Sequence, residues 1–348
     1  MSFAYQNRPG VYAGYDVSGV YSGAIAGKVI AVAAHSTLPA KVYVYTGYES
    51  AYKRGDNSQL GKMLKLLYAN GAYKVLAYPV GLDNTGMYST AITELLAADK
   101  VDYLVLGSDS EEIQLLAKQQ MEQLQQEQRE CICFMGMTDA GVDEIAARAG
   151  KLNSERVVLL GQNVTLEDET QSSGGSMAAA ALAAQLSKQT DPAIPLHGMV
   201  LEGIVNTEYL TDSQVDTLVQ GGVTTLEAVN GSVSIIRGLT TRTKIDNQPD
   251  TTLRELNTVM IIDTVIPGLR ELLRKKFTRS KNNETTRTAI LHQMVTSLEE
   301  YLSDEIIDSY SDLQVTADPK DAGVCVVSFK FAVTSGINLI YLTAHITV

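Results

Sequence analysis

The chain has 348 residues, enough for two ordinary domains with a core in each. Its 28 Lys and Arg stand against 40 Asp and Glu, a formal charge of −12, which is the wrong sign for a free-standing nucleic-acid binder. Hydrophobic residues at 45% and charged residues at 20% exclude a disordered chain, and 17 Tyr with no Trp point to half-wet contacts between subunits.

Residues 8–27, RPGVYAGYDVSGVYSGAIAG, carry glycine every few positions among valines and tyrosines. Glycine and proline oppose a helix and the valines and tyrosines favour extended chain, so this stretch reads as an arm that pairs elsewhere or as a leader. The first ten residues lack the charged and apolar regions of a signal peptide, and no apolar run reaches the ~20 residues of a membrane span, so synthesis in the cytoplasm is expected.

From Lys28 the pattern alternates. Strands are predicted at 29–34, 73–78, 101–106, 131–135 and 156–160, and helices at 60–68, 88–96, 111–127, 142–149 and 177–186. Such alternation implies crossover units, hence a mixed sheet covered by helices. Cys131 and Cys133 fall on one face of a predicted strand and, with Cys325, read as plain core thiols. Asn230-Gly231 between 223–229 and 232–237 is a strong hairpin signal.

Beyond it, Leu256 to Ile262 reads as a strand, and Pro267 suits the first turn of a helix that ends near Phe277. A second helix is expected over 286–302, with Ile290, Leu291, Met294, Val295, Leu298 and Leu302 on one stripe. Cys325, Val327, Phe329, Phe331 and Val333 alternate as a strand, and so do Ile340, Leu342, Ala344, Ile346 and Val348.

No catalytic signature emerges. Ser22 to Val29 resembles a phosphate loop but has three residues between its glycines instead of four, and Val29 where a hydroxyl is needed. His35, His197, His292 and His345 are scattered singly, and Glu167-Asp168-Glu169 reads as a solvated run. No metal or cofactor is expected. Arg270, Arg274, Lys275, Lys276, Arg279 and Lys281 fall within twelve residues, opposed only by Glu271. This is either a helix end whose cations suit the dipole or a basic ridge for an acidic partner.

Arg8-Pro9-Gly10-Val11-Tyr12 resembles the opening of contractile tail sheath proteins, found in contractile phage tails, R-type tailocins and related injection systems. The resemblance continues through 70–75 (NGAYKV), 152–157 (LNSERV), 237–241 (RGLTT) and 337–348 (INLIYLTAHITV), in family order. The inserted β-sandwich of larger members is missing, since Val80 to Tyr88 is only a short polar loop.

The resemblance implies a non-enzymatic subunit, made in the bacterial cytoplasm, that forms stacked six-fold rings around an inner tube. Baseplate and tail terminator proteins are its further implied partners, with no nucleic acid and no membrane insertion. It implies an N-terminal extended arm (1–24), an α/β outer domain (25–238) and an α+β inner domain (239–348) whose sheet is completed by exchanged terminal arms. Val11, Tyr12, Tyr15, Val17, Ile340, Leu342 and Ile346 are the candidate arm residues, and Arg270, Arg274, Lys275 and Lys281 the candidate tube-facing cations. A cytoplasmic α/β enzyme with a site assembled from distant residues is the alternative left open by the residues alone.

Overall fold

The computed structural model describes residues 27–47 and 57–336. Six strands form the central sheet: β1 (Val29–His35), β2 (Tyr43–Tyr45), β3 (Lys74–Val80), β4 (Tyr103–Leu106), β5 (Ile132–Gly136) and β6 (Val157–Leu160). Their order is β2-β3-β1-β4-β5-β6, and every pairing is parallel except β2 with β3. The mixed, helix-covered sheet expected from the alternation is the one observed.

Both faces of the sheet are buried, which is why the strands read as continuous apolar runs. Ile30, Val32 and Ala34 point into a core shared with α1 (Gln59–Ala69) and α5 (Ser176–Lys188). Ala31 and Ala33 point into a second core under α2 (Thr85–Ala98), α3 (Glu111–Gln126) and α4 (Val142–Leu152). Cys131 and Cys133 lie in this second core as free thiols, and burial pushes both thiol pKa values well up, so they are inert packing groups. Helix α5 is buried from Ser176 to Ser187, as a helix made almost entirely of small and apolar residues must be. It starts hard against the end of β5, where a Cβ at Gly136 would lie 1.9 Å from the Ser176 nitrogen.

Three short strands extend the body: β7 (Val164–Leu166), β8 (Ser172–Ser173) and β9 (Ile204–Thr207), in the order β8-β7-β9. Helix α6 (Asp212–Gln220) follows, closed at its start by a capping box between Thr211 and Gln214. The predicted hairpin is β10 (Thr225–Val229) with β11 (Ser232–Arg237). Asn230 and Gly231 both take positive φ, 53° and 81°, which the primed turn of a tight hairpin requires. A two-residue ribbon, β12 (Lys244–Ile245) with β13 (Gln248–Pro249), leads on to the C-terminal elements.

Here the structure corrects two expectations. Leu256 to Ile262 is not a strand, and Pro267 does not open a helix; both belong to one 22-residue helix, α7 (Leu256–Phe277), with Pro267 inside it. The misreading has a physical cause. Leu256, Val259 and Met260 face the large core of the body, while Ile261, Val265 and Leu269 face a third core. A helix buried on two sides loses its single apolar stripe and looks like a buried strand.

The third core is completed by α8 (Glu284–Ser303), as predicted, and by β14 (Ile307–Ala317) and β15 (Cys325–Val333). The sequence pattern predicts no strand at 307–317. Asp312 takes φ +54° and the register shifts between Ser311 and Gln314, so the inward residues Tyr310 and Leu313 are three apart instead of two. That bulge breaks the alternation by which a strand is recognised.

Candidate functional site

An open α/β sheet normally offers its ligand crevice at the carboxyl ends of the strands, where the strand order reverses. In this sheet that point lies between β1 and β4. It is filled by Gln59, whose amide donates to the Gly107 carbonyl at 2.6 Å while its oxygen accepts from the His35 amide at 3.2 Å. The neighbouring crevice is filled by the buried Gln114, which donates to the Gly136 carbonyl at 2.8 Å and accepts from Arg148 at 2.8 Å. Lys28, the lysine of the phosphate-loop resemblance, is half-buried and donates to the Tyr103 hydroxyl at 2.6 Å. Glu169 pairs with Lys62 at 2.5 Å and Asp168 with Lys65 on the surface. Of the histidines, His35 and His292 are exposed, His197 meets the Ile236 carbonyl at 3.0 Å, and His345 lies outside the described residues. Among the described residues no group of His, Cys, Asp and Glu could hold a metal ion, and no helix is long and apolar enough to cross a membrane.

The C-terminal elements have a different character. β14 and β15 form a two-stranded antiparallel sheet, and among the described residues no further strand lies on either outer edge. Along β15 the inward side chains Cys325, Val327, Phe329, Phe331 and Val333 alternate with exposed neighbours. Phe329 and Phe331 stack with centroids 5.8 Å apart. These residues pack over α7 and α8 yet remain only half-buried. Among the described residues, two edges without a further strand and a half-covered apolar face leave the sheet unfinished.

The basic cluster lies at the far end of α7 and in the turn to α8. Arg270 is already engaged: it pairs with Glu130 of the body at 3.0 Å and donates to the Gln128 carbonyl at 3.1 Å. Lys275 pairs with Glu271 one turn back, at 2.7 Å, and Lys276 donates to Gln293 at 2.5 Å. Arg274, Arg279 and Lys281 are exposed. Arg274, Lys275 and Lys276 occupy the last turn of α7, where cations suit the helix dipole. Residues 239–348 carry 12 basic against 14 acidic residues, whereas 1–238 carry 16 against 26, so most of the negative charge belongs to the α/β part.

The candidate arm residues Val11, Tyr12, Tyr15, Val17, Ile340, Leu342 and Ile346 all lie outside the described residues. Sequence reasoning missed the partners of α7 in the body, Glu130 and Arg156. Their signal was their position, each directly before or within two residues of an apolar strand.

Two family models match the chain: the phage tail sheath protein central domain over residues 83–241, and the phage tail sheath C-terminal domain over 248–347. A search of curated proteins returns no match. Solved structures share the fold across almost the whole length. The helical sheath of the anti-feeding prophage in its contracted state aligns with TM-score 0.72 and 15% identity, covering 97% of this chain and 98% of that one. The sheath complex of PVC, an extracellular contractile injection system, in its contracted state aligns with TM-score 0.70 and 15% identity, covering 99% and 98%. A sheath tail protein from Desulfitobacterium hafniense aligns with TM-score 0.68 and 12% identity, covering 93% and 100%.

Proposed function

The chain belongs to the contractile tail sheath family and is a structural sheath subunit, and from that premise we propose that it polymerises around an inner tube in stacked six-fold rings. Its work is mechanical. The extended polymer holds free energy in subunit packing, and shortening drives the tube through a target envelope. The enzyme alternative has no support from the family, and Gln59 and Gln114 fill the crevices where a ligand would sit.

The observation that carries this reading is the unfinished sheet of β14 and β15. β-strand addition needs a free edge for main-chain hydrogen bonds and a half-covered face for alternate side chains. Both are present. The occupants we propose are the terminal segments of neighbouring subunits, Ala4 to Val20 and Ile337 to Val348. Head-to-tail contacts of this kind close into a ring where the rotation closes and propagate along the axis where it does not, so one mode of exchange serves both the six-fold ring and the stack.

The exposed end of the basic cluster, with Arg274, Lys275 and Lys281, is proposed to face an acidic inner tube, while the negatively charged α/β part lies outward. Arg270 is left out of that set, because Glu130 already neutralises it. The similar structures include the baseplate of the anti-feeding prophage, which supports a baseplate as a further partner; a tail terminator is proposed alongside it. Assembly in the bacterial cytoplasm, as part of a phage tail or phage-tail-like particle, follows from the same reading.

Negative-stain microscopy of the purified full-length protein at high concentration tests it. Rings or tubes are expected. A monodisperse small particle whose melting temperature responds to a small-molecule ligand would overturn the proposal in favour of the enzyme.

A further inference from the structure

Among the described residues α7 is the one helix or strand whose side chains enter both the large body core and the C-terminal core; the loop with Ala193 in the C-terminal core and Leu196 and Leu201 in the body core is a second link. Helix α7 passes from one core to the other at Met260-Ile261 and carries Pro267-Gly268 further on, between Val265 and Leu269 of the C-terminal core. Proline removes the backbone donor that would reach the Asp263 carbonyl, and glycine adds backbone freedom, so this is the weakest point of the helix. A Cβ at Gly268 would lie 2.4 Å from the Tyr301 hydroxyl of α8, so a side chain there would have to displace the tip of that tyrosine. An unsupported helix would bend here, and the C-terminal hairpin would swing against the body.

The sheet supplies support on both sides of the weak point. Lys28, Asp102, Glu130 and Arg156 precede or begin four neighbouring strands, β1, β4, β5 and β6, and so stand in a row along one end of the sheet. One turn before Pro267, Asp263 meets Arg156 at 2.5 Å, with Arg156 only 4% exposed. Three residues after it, Arg270 meets Glu130 at 3.0 Å. Pro267 itself lines a small cavity of about 50 Å³ whose polar side includes Lys28, Asp102, Tyr103, Glu130 and Asp263 and whose apolar side includes Ile132 and Met260. One oxygen of Asp263 and the Nε of Arg156 are buried without a hydrogen-bond partner. A cavity of this size suits one or two ordered waters, which would supply the missing partner of Asp263. Burial pushes the Asp263 carboxyl up and the Lys28 ammonium down, each against the pull of its neighbours.

Apolar packing would have sealed this junction more simply, because a buried ion pair is poor value in stability but strict in geometry. We propose that the Arg156–Asp263 and Glu130–Arg270 pairs are a brace that holds α7 rigid across Pro267-Gly268, so that the α/β body and the α7–α8 hairpin turn as one lever. The proposal rests on the sheath reading for its purpose, since a lever is needed to pass force from the outer body to the tube-facing end. Its geometry does not depend on polymerisation.

The test uses the free full-length subunit. Spin labels at Asp143→Cys and Arg279→Cys, in a Cys325→Ser background, report the distance between body and hairpin tip. Hydrogen exchange reports the backbone over 262–272. The unbraced variant carries Arg156→Met, Asp263→Leu and Glu130→Gln, which removes the charged groups of the inner pair together and leaves no buried ion unpaired. We expect a single narrow distance distribution in the parent and a broad one in the unbraced variant, with amide exchange over 262–272 faster by about tenfold, equivalent to about 1.4 kcal/mol. Adding Pro267→Ala to the unbraced variant is expected to narrow the distribution again, which also shows that the variant folds. An unbraced variant with a narrow distribution and unchanged exchange would overturn the proposal, and so would a broad one that Pro267→Ala leaves broad. Failure of the sheath reading would appear instead as loss of polymers in the parent, with both readouts unaffected.

Discussion

The side chain of Gln185 donates to the Asn70 Oδ1 at 2.9 Å, deep between α5 and the end of α1. Asn70 is fully buried and serves as a hub. Its oxygen also accepts from the Glu202 amide at 2.9 Å, and its nitrogen donates to the Leu66 and Glu202 carbonyls, each at 2.9 Å. One residue thus ties two helices to the segment that leads into β9. Replacing it by alanine strands several buried polar groups at once, at about 1–3 kcal/mol for each group left unpaired. Asn70→Ala is therefore expected to lower unfolding stability by about 3 kcal/mol in urea titration. A loss below about 1 kcal/mol would mean that water replaces the amide without penalty.

Glu155 offers a pH test. It accepts from Arg242 at 2.6 Å and from Gln125 at 3.2 Å. Burial alone would raise its pKa; the hydrogen bonds and the Arg242 charge outweigh it and hold the carboxyl below its ordinary value of 4.5. A depressed acid contributes stability above its unfolded pKa and loses it as the pH falls through the folded one. Glu155→Gln should therefore cost about 1–2 kcal/mol at pH 7, with the gap to the parent closing below about pH 4.5. A gap that stays constant from pH 7 to pH 3 would show that the charge of Glu155 contributes nothing.

The terminal segments make separate predictions. Deleting residues 1–20, or 337–348, is expected to leave a folded subunit that fails to polymerise. Sedimentation and circular dichroism of each truncated chain read the two properties independently. Polymers of normal length from either truncation would remove that segment from the assembly.

At the basic end of α7, Arg274→Glu with Lys275→Glu should weaken assembly on tubes more than assembly of the sheath alone. Each exposed charge pair is worth only about 0–1 kcal/mol, so attachment depends on repetition along the polymer. Added salt should reproduce the defect in the parent by screening. Co-sedimentation with tubes across a salt series measures both, and equal loss of the two kinds of assembly would assign these cations to contacts between sheath subunits.

Much of the body could be read from the chain, because parallel strands buried on both faces leave apolar runs that helices separate. Val29 to His35 and Lys74 to Val80 are such runs. The C-terminal part was harder. Helix α7 is buried on two sides and so hid its period, and β14 lost its alternation at the Asp312 bulge. The basic ridge was visible as a run of cations, but not that Arg270 is taken by Glu130, 140 residues away in sequence. Pairings at that separation are set by the topology and leave no local pattern. The resemblance supplied the family; the unfinished sheet supplied its physical counterpart.

The most direct measurement is a reconstruction of the assembled polymer by cryo-electron microscopy at a resolution that traces strands. If exchange of terminal strands builds the polymer, strands from neighbouring subunits lie hydrogen-bonded along the outer edges of β14 and β15, covering Phe329 and Phe331. Edges left bare in the polymer, or paired with segments of the same chain, would contradict that exchange.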